Sequence, residues 1–168
     1  MELYEDQKKY ENDQTPAELA KKLIQLIPLQ EKDVLYEPFR GEGSFYSNYP
    51  DNCVKHWAEI KEGIDYKTFT DEVDWIITNP PFRMEKGKNC FFPLIKEFIP
   101  RVRKGICFLG DARCFESLTP LRQKEINQMG FYISKITMCN VKRWRGRYFF
   151  IQITKRKNDD ITYLEGNF

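Results

Sequence analysis

Val73-Asp74-Trp75-Ile76-Ile77-Thr78-Asn79-Pro80-Pro81-Phe82 decides how this chain is read. Its first six residues are a β-rich run, and the two prolines stop it, because proline has no N–H with which to continue a ladder. Each proline also drives the residue before it toward extended backbone. The stretch therefore reads as a strand ending at a sheet rim, followed by a stiff shelf. On that shelf one amide and one ring are held still. A planar ligand with an exocyclic amine fits it: the Asn79 carbonyl oxygen and the Pro80 carbonyl accept the amine protons, and Phe82 stacks on the ring. The plainer alternative is a strand-to-loop exit with a helper asparagine. The tetrapeptide alone does not choose between them.

Outward from the shelf, short apolar runs alternate with helical spacing. Val34-Leu35-Tyr36-Glu37, Lys55–Ile60 and Gly105–Gly110 read as buried strands, residues 64–69 as a short extended piece, and 131–141 and 148–155 as two longer strands. Thr15-Pro16-Ala17-Glu18 reads as a helix start, with Thr15 as the N-cap, Pro16 in the first helical position and Glu18 closing a capping box. Leu19, Leu23, Ile24 and Ile27 supply its apolar stripe as far as Pro28. Cys90–Ile99 has helical spacing despite Pro93, and Pro120–Met129 forms a helix that Gly130 ends. The pattern predicts an α/β sheet covered on both faces, its last two strands forming an antiparallel hairpin.

Length and composition set the bounds. The 168 residues suit one domain burying roughly 70% of its unfolded surface. Five cysteines are scattered without a Cys-x-x-Cys pair, which argues against zinc and for reduced thiols inside a cell. No apolar stretch nears the ~20 residues of a membrane span, and the acidic start does not read as a signal peptide. A histidine base would have to be His56, the one histidine, so chemistry that needs none is favoured.

The net charge of +2 hides a lopsided distribution. Glu2, Glu5, Asp6, Glu11, Asp13 and Glu18 crowd the first 18 residues, whereas Lys142, Arg143, Arg145, Arg147, Lys155, Arg156 and Lys157 occupy 142–157 with no acid among them. Interleaved with Trp144 and Tyr148, the basic residues form a candidate surface for a polyanion with stackable bases, or else an ordinary solvated loop. Arg83 to Lys88, polar and containing a glycine, reads as a flap beyond the shelf or as a plain surface loop.

Glu37-Pro38-Phe39-Arg40-Gly41-Glu42-Gly43 follows the first strand, where an open α/β sheet presents its ligand crevice. Gly41 and Gly43 would let backbone approach a ligand closely. The third glycine of a dinucleotide fingerprint is missing, which argues against NAD and a dehydrogenase. Glu59, ending the second strand, is placed to hold both hydroxyls of a ribose. Asp65-Tyr66 is placed to accept from an adenine amino group and cover its ring. Singly, Glu59 could be a solvated strand end and Asp65 a turn residue.

In this order and at these intervals the residues resemble the S-adenosylmethionine-dependent amino-methyltransferases, most of all the adenine-N6 DNA methyltransferases. The resemblance runs over about residues 13–155, through Gln14-Thr15-Pro16, Glu37–Phe45, Glu59, Asp65-Tyr66 and Asn79-Pro80-Pro81-Phe82. It implies a Rossmann-like class I fold, with a seven-stranded, mostly parallel sheet ending in the hairpin. It implies S-adenosyl-L-methionine as cofactor, held by Thr15, Pro16, Glu37, Phe39, Gly41, Gly43, Glu59, Asp65, Tyr66 and Asn79. Catalysis would fall to Asn79, Pro80 and Phe82. Flipped-out DNA would meet Arg83, Lys142, Arg143, Trp144, Arg145, Arg147 and Tyr148.

Two features depart from that pattern. Glu37 stands where aspartate is commoner, and little chain remains for target recognition after the last strand. The expectation is a single catalytic domain over 1–168, with target choice supplied by short loops, a partner subunit or a second copy. The alternatives kept open are the same chemistry on an RNA adenine, a guanine amine or a protein glutamine, and a non-catalytic nucleic-acid-binding subunit. A cytoplasmic enzyme fits, as does a compact viral one working inside a host cell.

Overall fold

Consecutive residues of the central strands face opposite sides of one sheet, and that alternation builds the molecule. The structure, a computed structural model, describes residues 14–82, 88–142, 144 and 146–158. Arg83 with most of the expected flap, Arg143, Arg145, and the acids Glu2, Glu5, Asp6, Glu11 and Asp13 lie outside the described residues. The strands are β1 (Val34–Glu37), β2 (Val54–Trp57), β3 (Val73–Thr78), β4 (Val102–Asp111), β5 (Tyr132–Cys139) and β6 (Tyr148–Thr154). They lie in the order β2-β1-β3-β4-β6-β5. The first four are parallel neighbours, and β6 runs antiparallel to both β4 and β5. The hairpin is therefore present, but its second strand is threaded inside and β5 takes the edge.

Six strands stand among the described residues where seven were expected. Residues 64–69 explain part of the difference. Ile64 makes a single bridge to Glu59, and Tyr66–Thr68 coils into a 3₁₀ turn. Asp65 starts that turn by accepting from the Lys67 N–H at 3.0 Å, which takes up a donor a strand would have offered to a ladder.

The helices are α1 (Ala17–Ile24), α2 (Phe91–Phe98), α3 (Ala112–Glu116) and α4 (Pro120–Gln128). On one face Ala20, Leu23 and Ile24 of α1 pack with Leu35, Trp75, Ile77, Cys107, Leu109 and Phe150. On the other, Phe91, Leu94, Ile95 and Phe98 of α2 and Ile126 of α4 pack with Tyr36, Ile76, Ile106, Phe108 and Ile151. Odd and even positions thus divide between two cores, as a period of two demands. Each fully buried Leu, Ile or Phe contributes about 1.5–3 kcal/mol. Pro93 is tolerated because it sits in the first turn of α2, where a missing N–H leaves no intrahelical bond unmade.

At the start of α1 the expected capping box is absent. Pro16 flanks the helix, its carbonyl accepting from Ala20 N–H at 3.0 Å, and no side chain caps the end. The Thr15 hydroxyl is engaged elsewhere. Helix α3, unforeseen in the sequence, is capped by Asp111, which accepts from the Cys114 N–H at 3.0 Å.

The two ends of the sheet do different work. At the amino end Asp74 accepts from Val34 N–H at 2.9 Å and takes the Arg103 guanidinium in two bonds of 2.9 and 3.0 Å. Asp33 beside it accepts from Trp75 Nε1 at 3.0 Å and pairs with Lys104 at 2.6 Å. At the carboxyl end the strand order reverses, since the chain steps from β1 out to β2 and returns on β1's other side as β3. In open α/β sheets ligands bind outside such a reversal. The loops after Glu37 and Thr78 flank it here.

Candidate active site

Four segments from distant parts of the chain converge on this reversal through a run of hydrogen bonds. Gly41 and Gly43 turn the backbone after β1 with φ of +54° and +84°, values that favour glycine. Glu59, beyond β2, closes the turn by accepting from the Gly41 N–H at 2.6 Å, and its other oxygen accepts from the Lys61 N–H at 3.0 Å. A carboxylate has about four acceptor positions, so two hydroxyls can still be accommodated.

The strap that leads into α1 lies across the same turn. Gln14 Oε1 accepts from the Glu42 N–H at 3.3 Å, and the Thr15 carbonyl accepts from the Ser44 hydroxyl at 2.5 Å. Thr15, itself buried, then reaches the shelf: its hydroxyl oxygen accepts from Asn79 Nδ2 at 3.2 Å. Glycine turn, strap and shelf amide are thereby one connected constellation. The Thr78 hydroxyl, donating to the Phe39 carbonyl at 3.4 Å, adds a second tie between the two loops.

Several residues support the site from behind. Glu37 is buried and accepts from the Tyr46 N–H at 2.8 Å, and burial pushes its carboxyl well above the usual range. It shapes the loop from below. Arg40 lies over the Trp57 ring, 4.0 Å from its centroid, and pairs with Glu62, which pins the turn to the outer strand. Cys90 braces the shelf, its N–H donating to the Phe82 carbonyl at 3.3 Å and its thiol to the Pro81 carbonyl. Burial pushes that thiol up to about 12, so it stays a donor across physiological pH. Neither the Cys90 brace nor the Thr15–Asn79 bond has a spacing signal in the sequence.

Other candidate residues stand differently. Tyr66 is only 5% exposed, its ring 4.9 Å from Phe39 and its hydroxyl donating to Glu97 at 3.2 Å, so it is a core residue. Phe39, half-buried, lies between that core and the turn. The half-buried Asp65 carboxylate caps the turn that follows it. Phe82 is half-buried, with its ring centroid 6.3 Å from that of Tyr148. Trp144 and Tyr148, read as stacking residues on display, are each only 7% exposed and pack together at 4.4 Å. The reason is local: Trp144 N–H donates to the Val141 carbonyl at 2.9 Å, folding the ring back onto β6. Lys142 and Arg147 remain exposed on the same loop. All five cysteines are free and buried. Among the described residues no cluster of His, Cys, Asp or Glu is arranged to hold a metal, and no helix is long and apolar enough to cross a membrane.

No family model and no curated protein sequence matches this chain. Solved structures do. TrmN from Thermus thermophilus superposes with a TM-score of 0.60 at 16% identity, covering 83% of this chain. Magnesium protoporphyrin IX methyltransferase (ChlM) from Synechocystis PCC 6803, with bound SAM, gives 0.56 at 11% identity over 83% of the chain. A modification subunit assigned to a type I restriction enzyme of Vibrio vulnificus YJ016 gives 0.57 at 13% identity over 84%. This chain spans 49%, 77% and 44% of those three proteins respectively. The architecture is the Rossmann-like methyltransferase fold.

Proposed function

We propose that the protein is an S-adenosylmethionine-dependent methyltransferase acting on the exocyclic N6 amine of adenine in DNA. One observation carries the reading: Thr15 links the shelf amide of Asn79 to the strap lying on the glycine turn. An amine acceptor site and a cofactor cradle then share one sheet edge. The residues present fit the cofactor. A Cβ at Gly41 would come within 2.7 Å of Gln14 Oε1, so the glycine is what lets the strap lie against the turn, and Glu59 keeps acceptor capacity for ribose hydroxyls. The strap, Phe39, Gly41, Gly43 and Glu59 would hold it, with Glu37 fixing the loop, the half-buried Asp65 on the adenine side and the core residue Tyr66 supporting Phe39 from behind. When bound, S-adenosylmethionine supplies an electrophilic methyl group on a sulfonium.

The chain's own residues prepare the acceptor. The amine of adenine is a weak nucleophile because its lone pair is delocalised into the ring. Asn79 Oδ1 and the Pro80 carbonyl accept hydrogen bonds from its two N–H groups and draw the nitrogen toward a pyramidal form; once methylated, the cationic nitrogen is strongly acidic and releases its surplus proton to water. The same fixed dipoles stabilise positive charge developing there, an oxyanion hole with its sign reversed. Phe82 stacks on the base, and the stiff prolines keep the acceptors aligned, which supplies much of the rate. No histidine base is required.

Exposed Lys142 and Arg147, with Arg143 and Arg145 on the same loop, favour a polyanionic substrate, extruded from its duplex at a few kcal/mol. Five buried, unpaired cysteines favour work inside a cell.

The test incubates the purified protein with methyl-labelled S-adenosylmethionine and unmethylated duplex DNA, in parallel with structured RNA and protein extract. N6-methyladenine in the DNA is the expected product. Label in RNA or protein instead would move the acceptor, and no label anywhere at high enzyme concentration would remove the activity. Asn79→Ala should leave cofactor binding nearly intact yet lose at least ~100-fold in turnover.

A further inference from the structure

We propose that Thr15 is a positioning residue whose hydroxyl anchors the Asn79 carboxamide on the shelf. The proposal rests on the methyltransferase reading above and adds a residue to its mechanism. A carboxamide is nearly symmetric in shape but not in chemistry: turned by half a rotation, it offers N–H where it had offered C=O. Asn79 is useful only with Oδ1 toward the amine, since the opposite orientation sets donor against donor. The Thr15 hydroxyl oxygen accepts from Asn79 Nδ2 at 3.2 Å, which commits that N–H and leaves the buried Oδ1 as the acceptor end of the amide.

Three features make this a built arrangement. Thr15 is 6% exposed, so at the acceptor end of this part-buried bond water has little access. Its hydroxyl is withheld from the helix cap its position invites, and α1 starts without a side-chain cap. The strap cannot drift, because the Glu42 N–H, the Ser44 hydroxyl and the Asn48 amide bind Gln14 Oε1, the Thr15 carbonyl and the Ala17 carbonyl at 3.3, 2.5 and 3.3 Å. Whatever settles the strap on the glycine turn therefore also aims the shelf.

Thr15→Val keeps the shape and removes the hydroxyl, and Thr15→Ser restores the hydroxyl. In Thr15→Val the single-turnover methylation rate at saturating cofactor and DNA should fall about tenfold, the scale of one hydrogen bond. Calorimetric affinity for S-adenosylmethionine should fall less than the rate does, and Thr15→Ser should recover the rate. By ¹⁵N NMR the Asn79 side-chain amide resonances should move in the valine variant and return in the serine variant. A loss confined to cofactor affinity would overturn the proposal, as would a serine variant as slow as the valine one. Should the parent transfer no methyl group at all, the methyltransferase reading fails by itself. The Asn79 resonances then decide the Thr15 bond: unmoved in Thr15→Val, they overturn it.

Discussion

The Glu59 carboxylate accepts from the Gly41 N–H at 2.6 Å, joining the segment just beyond the outermost parallel strand to the glycine turn across 18 residues of sequence. The bond fixes the carboxylate against the glycine turn, and the Lys61 N–H on its second oxygen restrains its rotation. In the proposed role of meeting two ribose hydroxyls, Glu59 gains from being held this way, because little entropy is lost when the ligand arrives.

Glu59→Gln tests that role. Glutamine can still accept from one backbone N–H but offers hydroxyl groups a neutral acceptor and an unwanted donor. Hydrogen bonds to charged groups are worth about 1.5–3 kcal/mol, so affinity for S-adenosylmethionine should fall at least about tenfold. Calorimetry reads the loss, and an unchanged dissociation constant would take Glu59 out of the cofactor site.

Much of this edge was legible beforehand. β1 and β3 begin and end where their apolar runs do, since Glu37 leads into a glycine turn and Thr78 into two prolines. The missing strand at 64–69 was not legible, because Asp65 can cap a turn as readily as precede a strand. Trp144 misled for a related reason. Basic neighbours show that a loop is solvated but not which way one ring within it points, and here the ring folds back onto Tyr148. The Thr15–Asn79 bond spans 64 residues, and only the folded sheet brings its ends together. Thr15 obeys the local rule for a helix cap in sequence and breaks it in structure, which is expected where function competes with stability.

Gly41→Ala and Gly130→Ala form an informative pair. Both glycines have positive φ, +54° and +79°, so an added Cβ should cost each variant roughly 1–2 kcal/mol of stability. They differ in their neighbours. A Cβ at Gly41 meets Gln14 Oε1 at 2.7 Å, whereas nothing lies within 4 Å at Gly130. Gln14 can swing aside, but it then leaves the turn. Thermal unfolding should show similar losses, while only Gly41→Ala should weaken S-adenosylmethionine binding. Equal affinity loss in both would mean that general destabilisation, not the cradle, is being measured.

Acid stability should depend on Asp74. The Arg103 guanidinium, bonded to it twice, holds its carboxyl below the usual carboxylate range, and the Val34 N–H adds to the effect. The folded value lies below the unfolded one of about 3.9, so the ionised side chain stabilises the fold above that pH. The contribution is lost as pH falls through the folded value. The stability gap between parent and Asp74→Asn should therefore be constant from neutrality to about pH 5 and narrow below about pH 4. Denaturant titrations across that range check it, and a gap independent of pH would assign the ion pair no part in acid unfolding.

The loop between β5 and β6 separates two roles that its sequence mixes. Arg147 is exposed, and Arg143 and Arg145 alternate with it, whereas Trp144 is buried against Tyr148. Replacing Arg143, Arg145 and Arg147 with glutamine should leave thermal stability nearly unchanged. It should also weaken DNA binding and flatten its dependence on salt by about one unit of slope per lost phosphate contact. Trp144→Ala should do the reverse, lowering stability by about 3–5 kcal/mol as a buried aromatic is lost, with a salt slope like that of the parent. Binding measured at several salt concentrations beside thermal melts distinguishes the two variants. An arginine variant with the parent's slope would mean the loop faces away from DNA, because phosphate charge cannot be neutralised without releasing counterions.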